Sequence, residues 1–292
     1  MLLQSSTGFD PTFFSTPDRV GKDGRLSLAF ERRGAATVLT ERRFTLPLQA
    51  LEPIPVDGGT LCLMLLNPTG GILGGDRLKT EITLGPGAHV CLTTPSATKV
   101  YRSLGPPALQ DTSITLGEGA VLEYLPDHVI PYPGSILHQS LTVEMGQGSR
   151  AILADAIAVG RLCRGERWGF SEVVSRITVA AQGQPRFLDR IKLGSSKWLP
   201  EGLGGMEGFG YVATFGLFAE SVSNWEKILH ALEEQLRELP SIAAGVSPLA
   251  RGGCLVRLLA ASAHDLSKAL LALWALSREL LLGLPPLDLR KL

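Results

Sequence analysis

The stretch ITLGPGAHVCLTT, residues 82–94, decides the fold, because the chain repeats it. Residues 114–126 read ITLGEGAVLEYLP, and residues 141–154 read LTVEMGQGSRAILA. Each is a short β-type run, a G-x-G turn and a second β-type run. The turns begin at Gly85, Gly117 and Gly146, a spacing of 32 and then 29 residues. A weaker fourth copy is ITVAAQGQPRFLDRIKL, residues 177–193. G-x-G is common in hairpin turns, so three independent hairpins are the plain alternative. Matching flanks at matching spacing favour a stack, in which each unit buries one face on its neighbour.

The reading extends in both directions. RLSLAFERRGAATVLTERRFTLPLQALEP (25–53) alternates apolar and polar residues, broken by glycine and proline, which is a strand pattern. Toward the C-terminus the pattern changes. YVATFGLFA (211–219) reads as a buried strand. SNWEKILHALEEQLREL (223–239) reads as a helix capped by Ser223 or Asn224 and stopped by Pro240. Its apolar residues Ile228, Leu229, Leu232, Leu236 and Leu239 fall at spacings of three and four. GCLVRLLA (253–260) reads as a strand, and AHDLSKALLALWALSRELLLG (263–283) as a second helix closed by Gly283. LPEGLGGMEGFG (199–210) reads as a mobile glycine-rich loop. The expectation is a mainly β chain of stacked sheets with solenoid-like winding, ending in a strand-helix-strand-helix unit. Residues 1–24 form a partly flexible N-terminal segment. Residues 25–292 form one domain, with 25–200 the stacked part and 211–284 the helical unit.

Composition limits the function classes. The 292 residues are 45% hydrophobic and 19% charged, enough for a large core. Lys plus Arg and Asp plus Glu are 28 each, so no net charge draws the chain to nucleic acid or an anionic membrane. With a mean hydropathy of +0.18, the absence of net repulsion points to a protein that works in a complex and is poorly soluble alone. Cys62, Cys91, Cys163 and Cys254 form no CxxC pair and read as buried thiols in a reducing compartment. The start, MLLQSSTGFDPTFF, has no basic region before an apolar one, so no signal peptide is expected and the cytoplasm is the expected location. The apolar run near 266–284 carries Lys268, Arg278 and Glu279, which argues against a membrane span.

NPTGGILGGDRL (67–78) poses the chemical question. A phosphate loop needs a lysine and a hydroxyl after its glycines, and here Asp76 follows Gly75. The dinucleotide fingerprint fails too, since the pattern is GGxxGG. Glycines at a tight turn between stacked strands explain the run better. No serine sits in a GxSxG elbow. His89, His128, His138, His230 and His264 share no metal-ligand spacing; His128, in EYLPDHVIPYPGS (123–135), is the best exception. The carboxylates beside turns are more informative: Asp76, Glu123, Asp127, Asp155 and Glu166. Turn capping and salt bridging are their plain reading. Their functional reading is a set of oxygens along a path for a hydrated divalent ion, which a tight His/Cys cage would hold back. Lys99, Tyr101 and Arg102, just after a strand, read as an interface or as edge protection.

Four motifs in order now carry a resemblance: NPTGGILGGDRL (67–78), TTPSATKVYRS (93–103), LEYLPDHVIPYPGS (122–135) and GRLCRGERWGF (160–170). Together with the C-terminal RLLAASAHDLSKALLALWALSRELLLG, they make the chain similar to the urease accessory protein UreD family, called UreH in some bacteria, over roughly residues 25–290. The resemblance implies a cytoplasmic protein that is not an enzyme. It implies action with UreF and the GTPase UreG on the urease apoprotein, where a carbamylated lysine comes to bridge two nickel ions. It implies no tightly bound cofactor, nickel in transit through a tunnel, a pairwise assembly of the accessory complex, and a helically wound stack of sheets with two helices. Two positions depart from the family pattern. Thr69 stands in a usual NPPGG, and Pro95 in a usual TTQ-type start. A β-solenoid enzyme acting on carbohydrate is the alternative. It would place two carboxylates roughly 5–9.5 Å apart in a cleft, but an aromatic content of 6% leaves few sugar platforms. A plain adaptor without a metal role is the third reading.

Overall fold

The structure, a computed structural model, describes residues 22–194, 201–202, 204–220, 222 and 224–289. The expected N-terminal segment 1–24 lies outside the described residues up to position 21, as do Ser223 and residues 199, 200 and 203 of the glycine-rich stretch. The chain opens with an antiparallel hairpin of β1 (Asp23–Arg33) and β2 (Ala36–Thr45). Short strands β3 (Gln49–Ala50) and β4 (Ile54–Pro55) lead into β5 (Leu61–Leu66). Three coils follow. The first is β6 (Arg77–Leu84), β7 (His89–Thr93) and β8 (Thr98–Val100). The second is β9 (Ala108–Leu116), β10 (Val121–Leu125) and β11 (Val129–Pro131). The third is β12 (Ile136–Met145) and β13 (Arg150–Ala158).

β6, β9 and β12 pair in parallel in one sheet, and β7, β10 and β13 pair in parallel in a second. Each G-x-G is therefore a corner that passes the chain between sheets. The corners stack by backbone bonds: the N–H groups of Gly85, Gly117 and Gly146 donate to the carbonyls of Phe30, Leu84 and Leu116 at 2.7, 2.7 and 2.8 Å. A Cβ on Gly117 would lie 2.7 Å from the Pro86 nitrogen, closer than the stack permits. The last corner positions, Gly87, Gly119 and Gly148, have φ of 65°, 63° and 66°, where glycine is unstrained. The stacked winding is the one the repeat predicts.

The fourth copy behaves differently. β14 (Glu172–Ala181) and β15 (Gln184–Gly194) pair antiparallel within the first sheet. Gln182 and Gly183 both have positive φ, 53° and 72°, the geometry of a two-residue hairpin turn. A G-x-G corner has one such residue, so this copy folds back where the others pass on, and the winding stops.

The second sheet continues through β16 (Tyr211–Ala219). After it come α1 (Trp225–Arg237), β17 (Ile242–Pro248), β18 (Gly253–Ala260) and α2 (Ala263–Ser277). The Asn224 side chain accepts from the Lys227 N–H and caps α1. α2 runs on as a π turn, Arg278–Leu282, and ends at Gly283 in the left-handed conformation. The expected strand-helix-strand-helix order thus contains one further strand, β17, which forms the sheet edge beside β18.

Three layers result. The core between the sheets includes Leu28, Leu84, Leu92, Leu122, Val143 and Leu153. The core between the second sheet and the helices includes Ile152, Phe215, Leu232, Val256 and Leu273. β16 is buried at every position, because its sheet is covered on both faces. No described helix is long and apolar enough to cross a membrane.

Candidate functional site

The glycine run of residues 67–76 closes the coil before β6. Ile72 bridges in parallel to Val100, its N–H donating to the Lys99 carbonyl and its carbonyl accepting from the Tyr101 N–H, both at 2.8 Å. A Cβ on Gly71 would lie 2.6 Å from the Tyr101 ring, and one on Gly74 would lie 2.7 Å from Ser103 Cα. The glycines let one coil lie directly on the next. Asn67 Oδ1 accepts from the Thr69 N–H and hydroxyl, so Thr69 completes the turn with its own side chain. Asp76 is buried, and its Oδ2 accepts from the Leu73 N–H at 2.8 Å. Burial raises its pKa above the ordinary value, against the bond from Leu73. Asp76 is therefore the inner post of this turn, while Arg77 faces out.

Between the two sheets lies a cavity of about 190 Å³, the lumen, whose largely apolar wall carries several polar groups. Asp155 opens onto it from β13, Gln139 and Ser175 from β12 and β14, and Tyr124 from β10. Asp155 accepts from Gln139 Nε2 at 2.9 Å and from the Ser175 hydroxyl at 2.6 Å. Burial raises its pKa, the bonds from Ser175 and Gln139 oppose that, and the nearby Asp189 charge adds to the rise. Burial and the Asp155 charge push the Tyr124 phenol up to about 12. Asp127 lines the same cavity, its N–H donating to the Thr94 hydroxyl at 2.9 Å. A second cavity of about 380 Å³ lies under α2, walled by Leu266, Leu270, Trp274 and His128. Residues 95–97 and 126–127 line both cavities, so Asp127 stands at their common wall.

Glu123 belongs elsewhere. It neighbours Tyr124 in sequence and so faces the opposite side of the sheet, toward α2. It is fully buried. Its Oε1 accepts from His89 Nε2 at 2.7 Å and from Arg278 Nη1 at 2.5 Å, and its Oε2 accepts from Trp274 Nε1 at 2.5 Å. Arg278, also fully buried, donates onward to Asp57 at 2.6 Å and to the Pro285 carbonyl at 2.9 Å. Burial alone would raise the Glu123 pKa, but the His89 bond, the Arg278 charge and the Trp274 bond leave it below its ordinary value. The cluster latches the end of α2 onto the stacked coils.

Glu166 lies on a surface turn, bonded to Arg161, whose guanidinium sits 4.2 Å from the Tyr132 ring centre. That pairing lowers the Glu166 pKa. Lys99 and Arg102 are exposed on one coil edge, and Tyr101 packs edge-on against Tyr132 at 5.0 Å. His128 packs edge-on against Tyr211, and burial lowers its pKa. No disulfide joins the cysteines. Cys163 is exposed, correcting the expectation of four buried thiols, because it lies on the surface turn Leu162–Arg164. In the described part of the glycine-rich stretch Met206 is buried and Gly204, Gly205, Glu207 and Gly208 are exposed, with Arg167 donating to the Gly208 and Phe209 carbonyls. Of the five candidate carboxylates, then, the structure brings Asp127 and Asp155 to one cavity. It places Asp76 in a turn, Glu123 in the latch and Glu166 at the surface. Sequence reading missed His89, Trp274, Arg278 and Asp57 as a unit. The 34-residue separation of His89 and Glu123, close to the coil spacing, was the one available signal.

The sequence model of the family described as UreD urease accessory protein matches residues 22–291. A protein named urease accessory protein UreD from Deinococcus radiodurans is 34% identical over 288 residues, covering 96% of this chain and 100% of its own. One of the same name from Alkalilimnicola ehrlichii is 32% identical over 281 residues, covering 96% and 94%. Another from Cupriavidus necator is 34% identical over 228 residues, covering 78% of each chain. These relatives are named as accessory proteins and not as catalysts, which turns the choice away from a carbohydrate-active enzyme. The chain belongs to the UreD urease accessory protein family.

Proposed function

We propose that this chain serves urease maturation by passing nickel to the apoprotein, in a cytoplasmic complex with UreF and UreG that assembles pairwise. Family membership supports the urease role. The observation that carries the nickel step is Asp155, a half-buried carboxylate lining the cavity between the sheets, whose hydrogen-bond donors, Gln139 and Ser175, are both neutral. Burial disfavours its charge, so the group is a poor choice for stability and a good one for receiving a passing cation. The donor chemistry fits: carboxylate, amide and hydroxyl oxygens suit a hydrated divalent ion that must be released again. Asp127, at the wall shared by the two cavities, gives the ion a second carboxylate on the way from the α2 side.

The test is urease activity in cells that express the urease subunits with and without this gene in nickel medium. Subunit levels are measured alongside. Activity lost without the gene, at unchanged subunit levels, is the expected result. Equal activity in both strains would overturn the assignment.

A further inference from the structure

Next to Asp155, outside the residues that line the cavity, lies a second polar rung. Asp155, Thr214 and Arg257 are lateral neighbours on β13, β16 and β18. Across from them, Asp189 projects from β15, the edge strand of the first sheet. Arg257 Nη2 donates to both Asp189 oxygens at 2.8 Å, its Nη1 donates to the Thr214 hydroxyl at 2.7 Å, and that hydroxyl donates to Asp189 at 3.2 Å. The Asp189 side chain is 15% exposed and that of Arg257 is 37% exposed. The lateral order across the strands is therefore the cavity, Asp155, Thr214 and the partly exposed Asp189–Arg257 pair.

From this arrangement we infer that Arg257 is a cation plug, closing the lumen at its β15–β18 end. Three features of the site support the role. A guanidinium keeps its charge at every physiological pH, so it repels cations constantly. Its two-oxygen grip on Asp189 fixes it across the passage. Its partial exposure lets a carboxylate on a docking protein compete for it, which would draw the plug aside and free Asp189 beside Asp155. This inference rests on the lumen being a cation path, and it adds that the path is shut at one end until a partner engages it.

The test uses cysteine accessibility in the full chain. Cys163→Ser removes the exposed thiol, and Ser175→Cys places one inside the lumen. The new thiolate attacks a methanethiosulfonate reagent at sulfur, forming a disulfide and releasing a sulfinate. Rates are compared for a trimethylammonioethyl reagent and a sulfonatoethyl reagent. In this background Arg257→Met should speed the cationic reagent roughly tenfold while changing the anionic one much less, the signature of a removed positive charge at a narrow mouth. Arg257→Lys, which keeps the charge, should stay slow. Asp189→Asn, which releases the guanidinium from its anchor, gives a second opening variant should Arg257→Met not fold. Unchanged cationic rates in the opening variants, or equal acceleration of both reagents, would overturn the plug. The assay involves no urease, so it can fail while the activation experiment succeeds, and the reverse.

Discussion

Replacing Arg278 with methionine should be among the costliest single changes in this protein. The side chain is fully buried and donates to Glu123, Asp57 and the Pro285 carbonyl. Methionine fills much of the volume but leaves Glu123 as a buried carboxylate with donors only from His89 and Trp274. Breaking one side of a buried pair costs about 3–5 kcal/mol. At about 2–4 °C per kcal/mol for a chain of this class, the melting midpoint should fall by roughly 6–20 °C. The assay is thermal melting by circular dichroism, wild type and variant at one scan rate. Glu123→Leu alone should also destabilise, because it leaves buried Arg278 with Asp57 as its remaining carboxylate and removes the acceptor of His89 and Trp274. The double variant should lose less than the sum, by about 1–3 kcal/mol, since neither charge is then left facing an absent partner. Acid gives a second handle. Glu123 is held below its ordinary value of 4.5, so its contribution is present above that value and is lost as pH falls through the folded pKa. A loss under about 1 kcal/mol for Arg278→Met, or strict additivity in the double variant, would refute the latch.

Other predictions concern the lumen and the core. Asp155 has a raised pKa, so the native state binds its proton more tightly than the unfolded state does, and stability falls as pH rises through the folded value. Asp155→Asn, which has no charge to bury, should therefore melt slightly above wild type at neutral pH, by no more than about 1 kcal/mol, and that difference should shrink as pH is lowered toward 3.8, the ordinary value of the carboxyl. Leu273 is fully buried against the second sheet, so Leu273→Asp should abolish soluble, partner-binding protein, as pull-down with the other accessory proteins would report. Gly117→Ala should destabilise far more than Gly119→Ala. The first meets backbone at 2.7 Å, while the second meets open space and pays only for its φ of 63°, about 1 kcal/mol by chemical denaturation.

The winding was legible because it is written in backbone terms. ITLGPGA and ITLGEGA repeat the corner glycines that the stack requires, and a corner needs the same residues wherever it occurs. The fourth copy was harder to read, since Gln182-Gly183 differs from G-x-G only in where the positive φ residues fall. β17 carried no signal: IAAGVSP neither alternates nor follows a helical period, because an edge strand of small residues has little to bury. The geometry of the candidate site was less legible. The sequence offers carboxylates near turns, but β10 lies in a sheet covered on both faces, so nothing in its pattern tells inside from outside. Glu123 and Tyr124 are adjacent on that strand, and one meets the latch and the other the lumen. The latch itself joins residues 151 and 155 positions apart, contacts that no local pattern encodes.

The nickel content of urease purified from cells carrying Asp155→Asn tests the central claim most directly. The variant's capture of the other accessory proteins and of apo-urease is measured in the same cells. A lumen that passes nickel by way of Asp155 predicts urease present in normal amount, captured normally and deficient in nickel. A full nickel complement with this variant would contradict the path through the lumen.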